Sequence, residues 1–124
     1  MTRIVMAVLL VVAGGAAAAP MNTVSRGEWT TQMGNLLPAA MCQDGSYFRA
    51  CFDISASDCH TTATATTATC LRQYTDQMPE TLKQPEDGTH WGQVVGACAG
   101  TLYGGELKAK MRNEAKCKDP SYWK

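Results

Sequence analysis

The chain predicts an all-α fold: a small bundle of about four helices stapled by disulfides, following a cleaved signal peptide. Three observations lead there. The sequence opens on an apolar segment with one early cation, and all six cysteines fall after it. From Trp29 onward, apolar residues recur at steps of three to four rather than alternating, the spacing of helical faces.

Arg3 supplies a positive start, Ile4 to Ala13 an apolar run and Gly14 to Ala19 a string of small residues, the three parts of a secretory leader. The run is too short to serve as a membrane span. Ala16 to Ala18 give an A-x-A end, so residues 1–18 read as signal peptide and 19–124 as one domain. A cut after Ala19 ranks second, because Pro20 would follow it directly. No cysteine lies near the cut, so no lipid anchor is expected. The alanine-rich leader points to a bacterial protein delivered to the periplasm, or secreted.

Ser25 and Glu28 stand at the S-x-x-E spacing of a capping box, which starts a helix. Trp29, Met33, Leu36 or Leu37, and Met41 form its stripe. Pro38 predicts a kink or restart, and Asp44-Gly45 a stop. A short second helix is expected over Ser46–Ile54, with Phe48, Cys51 and Phe52 inward. Residues 58–70, DCHTTATATTATC, are rich in threonine and would be strand by propensity. Spacing decides for helix. Eleven steps of about 100° bring Cys59 and Cys70 to nearly the same helix face, whereas a strand would set them on opposite faces. Asp58 reads as the cap, and Pro79 ends the element after Tyr74 and Met78.

Residues 80–88 read as a connector. Thr89 then caps a helix with Trp91, Val94, Val95, Cys98 and Leu102 inward, bent or ended at Gly104-Gly105. That helix also carries Gly92, Gly96, Gly100 and Gly104, every fourth residue, a flat groove that drifts by about 120° in all. Each glycine costs about 1 kcal/mol relative to alanine in an exposed helix, so a compensating close contact is expected. The first reading packs the Thr/Ala helix into the groove. The second makes it a self-association face of the small-xxx-small kind. ELKAKMRNEAK, residues 106–116, reads as a short charged helix and CKDPSYWK as a tail.

An even cysteine count in a small exported chain reads as three disulfides. Metal is the rival, but no pair has C-x-x-C spacing, and His60 and His90 make no ligand pattern. Neither a metal nor a cofactor is expected. Partners equidistant from a turn near Ser55-Ala56-Ser57 would give nested Cys51–Cys59 and Cys42–Cys70 bridges, leaving Cys98–Cys117. That spacing loosely resembles the twin C-x9-C helical hairpins, a likeness of spacing that carries no function across.

Eleven basic and eleven acidic residues balance, and loss of Arg3 leaves ten basic. No net positive field is available for nucleic acid. From Glu106 to Lys124 six basic residues face three acidic, against three and seven from Gln43 to His90, a polarity that would orient an acidic partner toward the C-terminal end but is more commonly that of a solvated charged helix.

No nucleophile elbow, H-E-x-x-H, P-loop or dinucleotide fingerprint is present. The phospholipase A2 signature is missing as well. The best acid/base candidates are Asp87 and His90, which could meet across a helical turn with Trp91 as a shield, a carboxylate orienting an imidazole. Helix capping alone explains Asp87 equally well. Asp58-Cys59-His60 is weaker, since Asp58 is an ordinary cap. The resulting expectation is an exported, non-catalytic protein that binds a protein partner, as an inhibitor or immunity-type protein. An accessory of an envelope or secretion machine, and a small hydrolase using Asp87 and His90, are the alternatives.

Overall fold

A computed structural model describes residues 22–124. The expected signal peptide, residues 1–18, lies outside the described residues. The fold is all-α in its layers, a disulfide-stapled helical bundle with one short two-stranded ladder at its edge. Its helices are α1 (Arg26–Met41), α2 (Tyr47–Ala50), α3 (Ala56–Tyr74) and α4 (Glu86–Glu106).

Ser25 caps α1 as the sequence implies, accepting the Glu28 N–H at 3.2 Å. Pro38 does not restart the helix. It sits inside α1 with its side chain fully buried, and that burial offsets the hydrogen bond its missing N–H forfeits. Gly45, at φ 78°, turns the chain, a left-handed conformation that glycine adopts freely.

The second helix is shorter than expected: α2 is a single turn ending at Ala50. Beyond it the chain becomes extended, because its backbone finds partners far along the sequence. Phe52 pairs with Met111, Asp53 N–H donates to the Lys110 carbonyl at 2.8 Å and Arg112 N–H to that of Cys51 at 2.8 Å. For the same reason residues 106–116 are not the expected charged helix. They form a 3₁₀ turn, Lys108–Lys110, that feeds this bridge. Two further 3₁₀ turns, Ala115–Lys118 and Pro120–Trp123, complete the chain.

The threonine-rich stretch is helical. Cys59, Ala63, Thr66, Thr67, Cys70 and Leu71 form the buried face of α3. Its N-cap is Ser55, which accepts the Asp58 N–H at 3.0 Å, not Asp58 itself. With small residues on its inner face, α3 packs closely between α1 and α4, which touch each other only briefly.

The stretch read as a connector contains β2 (Thr81–Lys83), antiparallel to β1 (Thr23–Ser25), with Val24 opposite Leu82. Leu82 is fully buried. α4 starts at Glu86, ahead of Thr89, and runs through Gly104-Gly105 to Glu106. Its buried stripe is Val95, Ala99 and Tyr103, while Leu102 is 37% exposed. The inward stripe expected at Trp91, Val94, Val95, Cys98 and Leu102 thus keeps Val95, and its later part is corrected by one position, from Cys98 and Leu102 to Ala99 and Tyr103. Four residues after Ala99, the larger tyrosine ring fills the space between α2 and the extended segment.

None of the expected cysteine pairs forms. In place of Cys42–Cys70, Cys51–Cys59 and Cys98–Cys117, the bridges are Cys42–Cys59, Cys51–Cys117 and Cys70–Cys98. The symmetric-hairpin argument fails because α2 is one turn and the chain leaves it toward residues 110–112, which sets Cys51 beside the C-terminal segment. Cys59 and Cys70 do share one face of α3, but they reach in opposite senses: Cys59 to the end of α1, Cys70 to the middle of α4.

Candidate functional site

Asp87 lies in the first turn of α4, where its Oδ2 accepts the Lys83 N–H at 2.7 Å. The carboxylate thus ties the end of β2 to the start of α4. His90 is exposed, its ring edge-on to Trp91 at 4.9 Å between centroids. The two side chains form no hydrogen bond with each other, so the geometry does not assemble the imidazole–carboxylate pair that proton transfer needs. Of the weaker trio, Cys59 is buried in its disulfide and His60 is exposed.

The glycine groove also differs from its first reading. A Cβ built on Gly92, Gly96 or Gly104 meets nothing within 4 Å among the described residues. At Gly100 it would stand 3.2 Å from Phe48 Cζ. The Thr/Ala helix does not fill the groove, and the one close contact comes from α2. α3 instead meets α4 through the Cys70–Cys98 bridge and the neighbouring buried stripe. Residues 88–105 contain no Asp, Glu, Lys or Arg, so the outer face of α4 is uncharged over about five turns.

An aromatic cluster joins α2, the extended segment and α4. Tyr103 contacts Phe48 at 5.0 Å and Phe52 at 5.2 Å between centroids, both edge-to-face. Its hydroxyl donates to the Phe48 carbonyl at 3.0 Å. Burial raises its pKa above the ordinary 10.0, and the nearby Arg49 partly counters that shift.

On the outer side of this cluster lies an apolar groove of about 480 Å³ between Tyr47, Phe48, Cys117, Pro120 and Trp123, with Lys118 at its border. An adjoining lobe of about 370 Å³ shares Tyr47, Phe48 and Trp123 and continues to Leu37, Ala40 and Met41. Trp123 stacks edge-to-face on Tyr47 at 5.6 Å, and its indole N–H donates to the Lys116 carbonyl at 2.8 Å. The Cys51–Cys117 bridge anchors this wall. A separate cleft of about 380 Å³ at the start of α3 has a mixed lining, with Asp53, Asp58 and Lys110 beside Ile54 and Leu107. In the sequence, residues 117–124 read as a plain tail. The one sequence signal for the groove is the aromatic pair Tyr122-Trp123, five and six residues after Cys117.

No group of three His, Cys, Asp or Glu side chains is placed to hold a metal among the described residues. Nor is any described helix long and apolar enough to cross a membrane.

The family model described as "T2SS substrate NttA", for substrates of the type II secretion system, matches residues 23–111. The chain belongs to this family. The matched span opens with β1 and closes at Met111, the residue bridged to Phe52. Cys117, Lys118 and Trp123 follow it, so one wall of the apolar groove stands outside the part shared with the NttA model. No curated protein and no solved structure matches the chain. Family membership and three disulfides together mark an exported protein.

Proposed function

We propose that this protein is cargo of a type II secretion system and acts outside the cell by binding another macromolecule, without catalysis. On this reading it crosses the inner membrane on its signal peptide and forms its bridges in the periplasm. It then leaves the cell folded. The observation that carries the export route is the family match over residues 23–111.

The non-catalytic half rests on Asp87. Its carboxylate is committed to a backbone N–H, and His90 is left on the surface without it. The uncharged outer face of α4 offers a surface that another protein can cover without stranding charges. A blocking or inhibitory role fits this arrangement, and self-association through the same glycines is the competing use of that face. The accessory reading has less support, since the family is described by what the machine carries. For the hydrolase reading, the geometry at Asp87 gives none.

The test uses a partner captured by the exported protein. Asp87→Ala and His90→Ala should bind it within a few-fold of the parent and leave its biological effect intact. A loss of effect by about 10²–10⁴-fold with folding unchanged would restore the hydrolase reading.

A further inference from the structure

We infer that the apolar groove beside Trp123 binds a free fatty acid, its acyl chain lying along Tyr47, Phe48 and Trp123 and its carboxylate at Lys118. This site is independent of the macromolecular partner and of the export route. Its two lobes, about 480 and 370 Å³, fall in the range of small-ligand sites, which are mostly apolar with few polar groups.

The choice of occupant follows from how few polar groups are free: of the side chains lining the two lobes, Tyr47 and Lys118 alone keep a polar group without a hydrogen-bond partner among the described residues. Ser46 Oγ donates to the Met41 carbonyl and accepts from Arg49 N–H. The Trp123 indole N–H is held by the Lys116 carbonyl. A sugar or an extended peptide laid here would lose hydrogen bonds to water and find few replacements, a penalty that an aliphatic chain does not incur. Among the described residues Lys118 is the single charged one lining either lobe, and it forms no ion pair with another of them. The neighbouring Asp119 directs its carboxylate to Ser121 instead, accepting from its N–H at 3.0 Å and its hydroxyl at 2.6 Å. One cation at the border of an otherwise apolar groove matches a ligand with one anionic end.

Calorimetric titration of the oxidised protein with sodium laurate, sodium octanoate, dodecanol and dodecyltrimethylammonium, all below micelle-forming concentrations, tests the assignment. Laurate should bind at least tenfold more tightly than octanoate, since each fully buried methylene contributes up to about fourfold. Lys118→Glu, an exposed change, should weaken laurate about threefold to tenfold while leaving dodecanol unaffected. Ala40→Phe, which fills the second lobe from an exposed helical position, should weaken laurate and dodecanol alike. Circular dichroism should show both variants folded. No laurate binding, binding equal to that of the cationic amphiphile, or binding unchanged in both variants would overturn the inference.

Discussion

Tyr103 reaches from α4 to the backbone carbonyl of Phe48, 55 residues earlier, and fastens the single-turn α2 to the body of the bundle. The ring is fully buried and meets Phe48 and Phe52 edge-to-face. Removing only the hydroxyl, in Tyr103→Phe, keeps the packing and leaves a carbonyl unpartnered. Urea denaturation should show a loss of about 1–2 kcal/mol.

The same residue predicts an alkaline effect. Burial raises the Tyr103 pKa above 10.0 in the folded state, so its contribution is complete below the unfolded value and is lost as pH rises through the raised one. Parent protein should therefore lose stability relative to Tyr103→Phe between about pH 10 and the raised value. An absorbance titration should find one tyrosine ionising late. Parallel stability curves across that range would show that the hydroxyl is not shielded.

Thr67 presents the opposite case. It is fully buried on α3, and its Oγ1 has no hydrogen-bond partner among the described residues. Thr67→Val keeps the shape and replaces the desolvated hydroxyl with a methyl group. Stability should rise by about 0.5–1.5 kcal/mol in thermal and urea unfolding. A loss would mean the hydroxyl holds a partner in solution.

The glycines of α4 should divide by position. Gly96→Ala, with open space at its Cβ, should stabilise the protein by up to about 1 kcal/mol. Gly100→Ala should gain less or lose, because its new methyl meets Phe48 at 3.2 Å. Sedimentation of Gly96→Leu separates the remaining uses of this face. Dissociation of an oligomer with monomer stability intact would assign the groove to self-association.

What the sequence reveals follows the range of the interactions involved. The buried face of α3 was legible because Cys59, Ala63 and Cys70 repeat a helical period over three turns, and Ser25 because its partner Glu28 is three residues away. The β1–β2 ladder was hidden: three residues per strand are too few to show an alternation, and Val24 finds Leu82 only through tertiary pairing. The disulfide map failed for a related reason. Whether Cys51 faces Cys59 or Cys117 depends on where the chain turns after Ala50, and residues 110–112 decide that. Asp87 was correctly placed at a helix start, but its carboxylate meets Lys83 N–H rather than His90. Beyond the aromatic pair Tyr122-Trp123, the groove was hidden because its two walls, at α2 and at Trp123, are brought together by that same long-range disulfide.

Reduction should unfold more than the tail. The bridges close loops with sequence separations of 17, 66 and 28 residues, and each contributes about 2–4 kcal/mol. Circular dichroism in reductant should show a large fall in melting temperature. Replacing only Cys51 and Cys117 by serine should loosen residues 108–124 and the groove while α1, α3 and α4 stay helical. An unchanged melting temperature after full reduction would remove the disulfides from the account of stability.

The central claim, an exported cargo folded by its bridges before it leaves the cell, is tested most directly by fractionating the producing bacterium with and without a working type II secretion system. The protein should appear in the medium of the intact strain and accumulate in the periplasm of the disabled one. In both, peptide mapping should give Cys42–Cys59, Cys51–Cys117 and Cys70–Cys98. Equal release by both strains, or periplasmic protein with free cysteines, would contradict it.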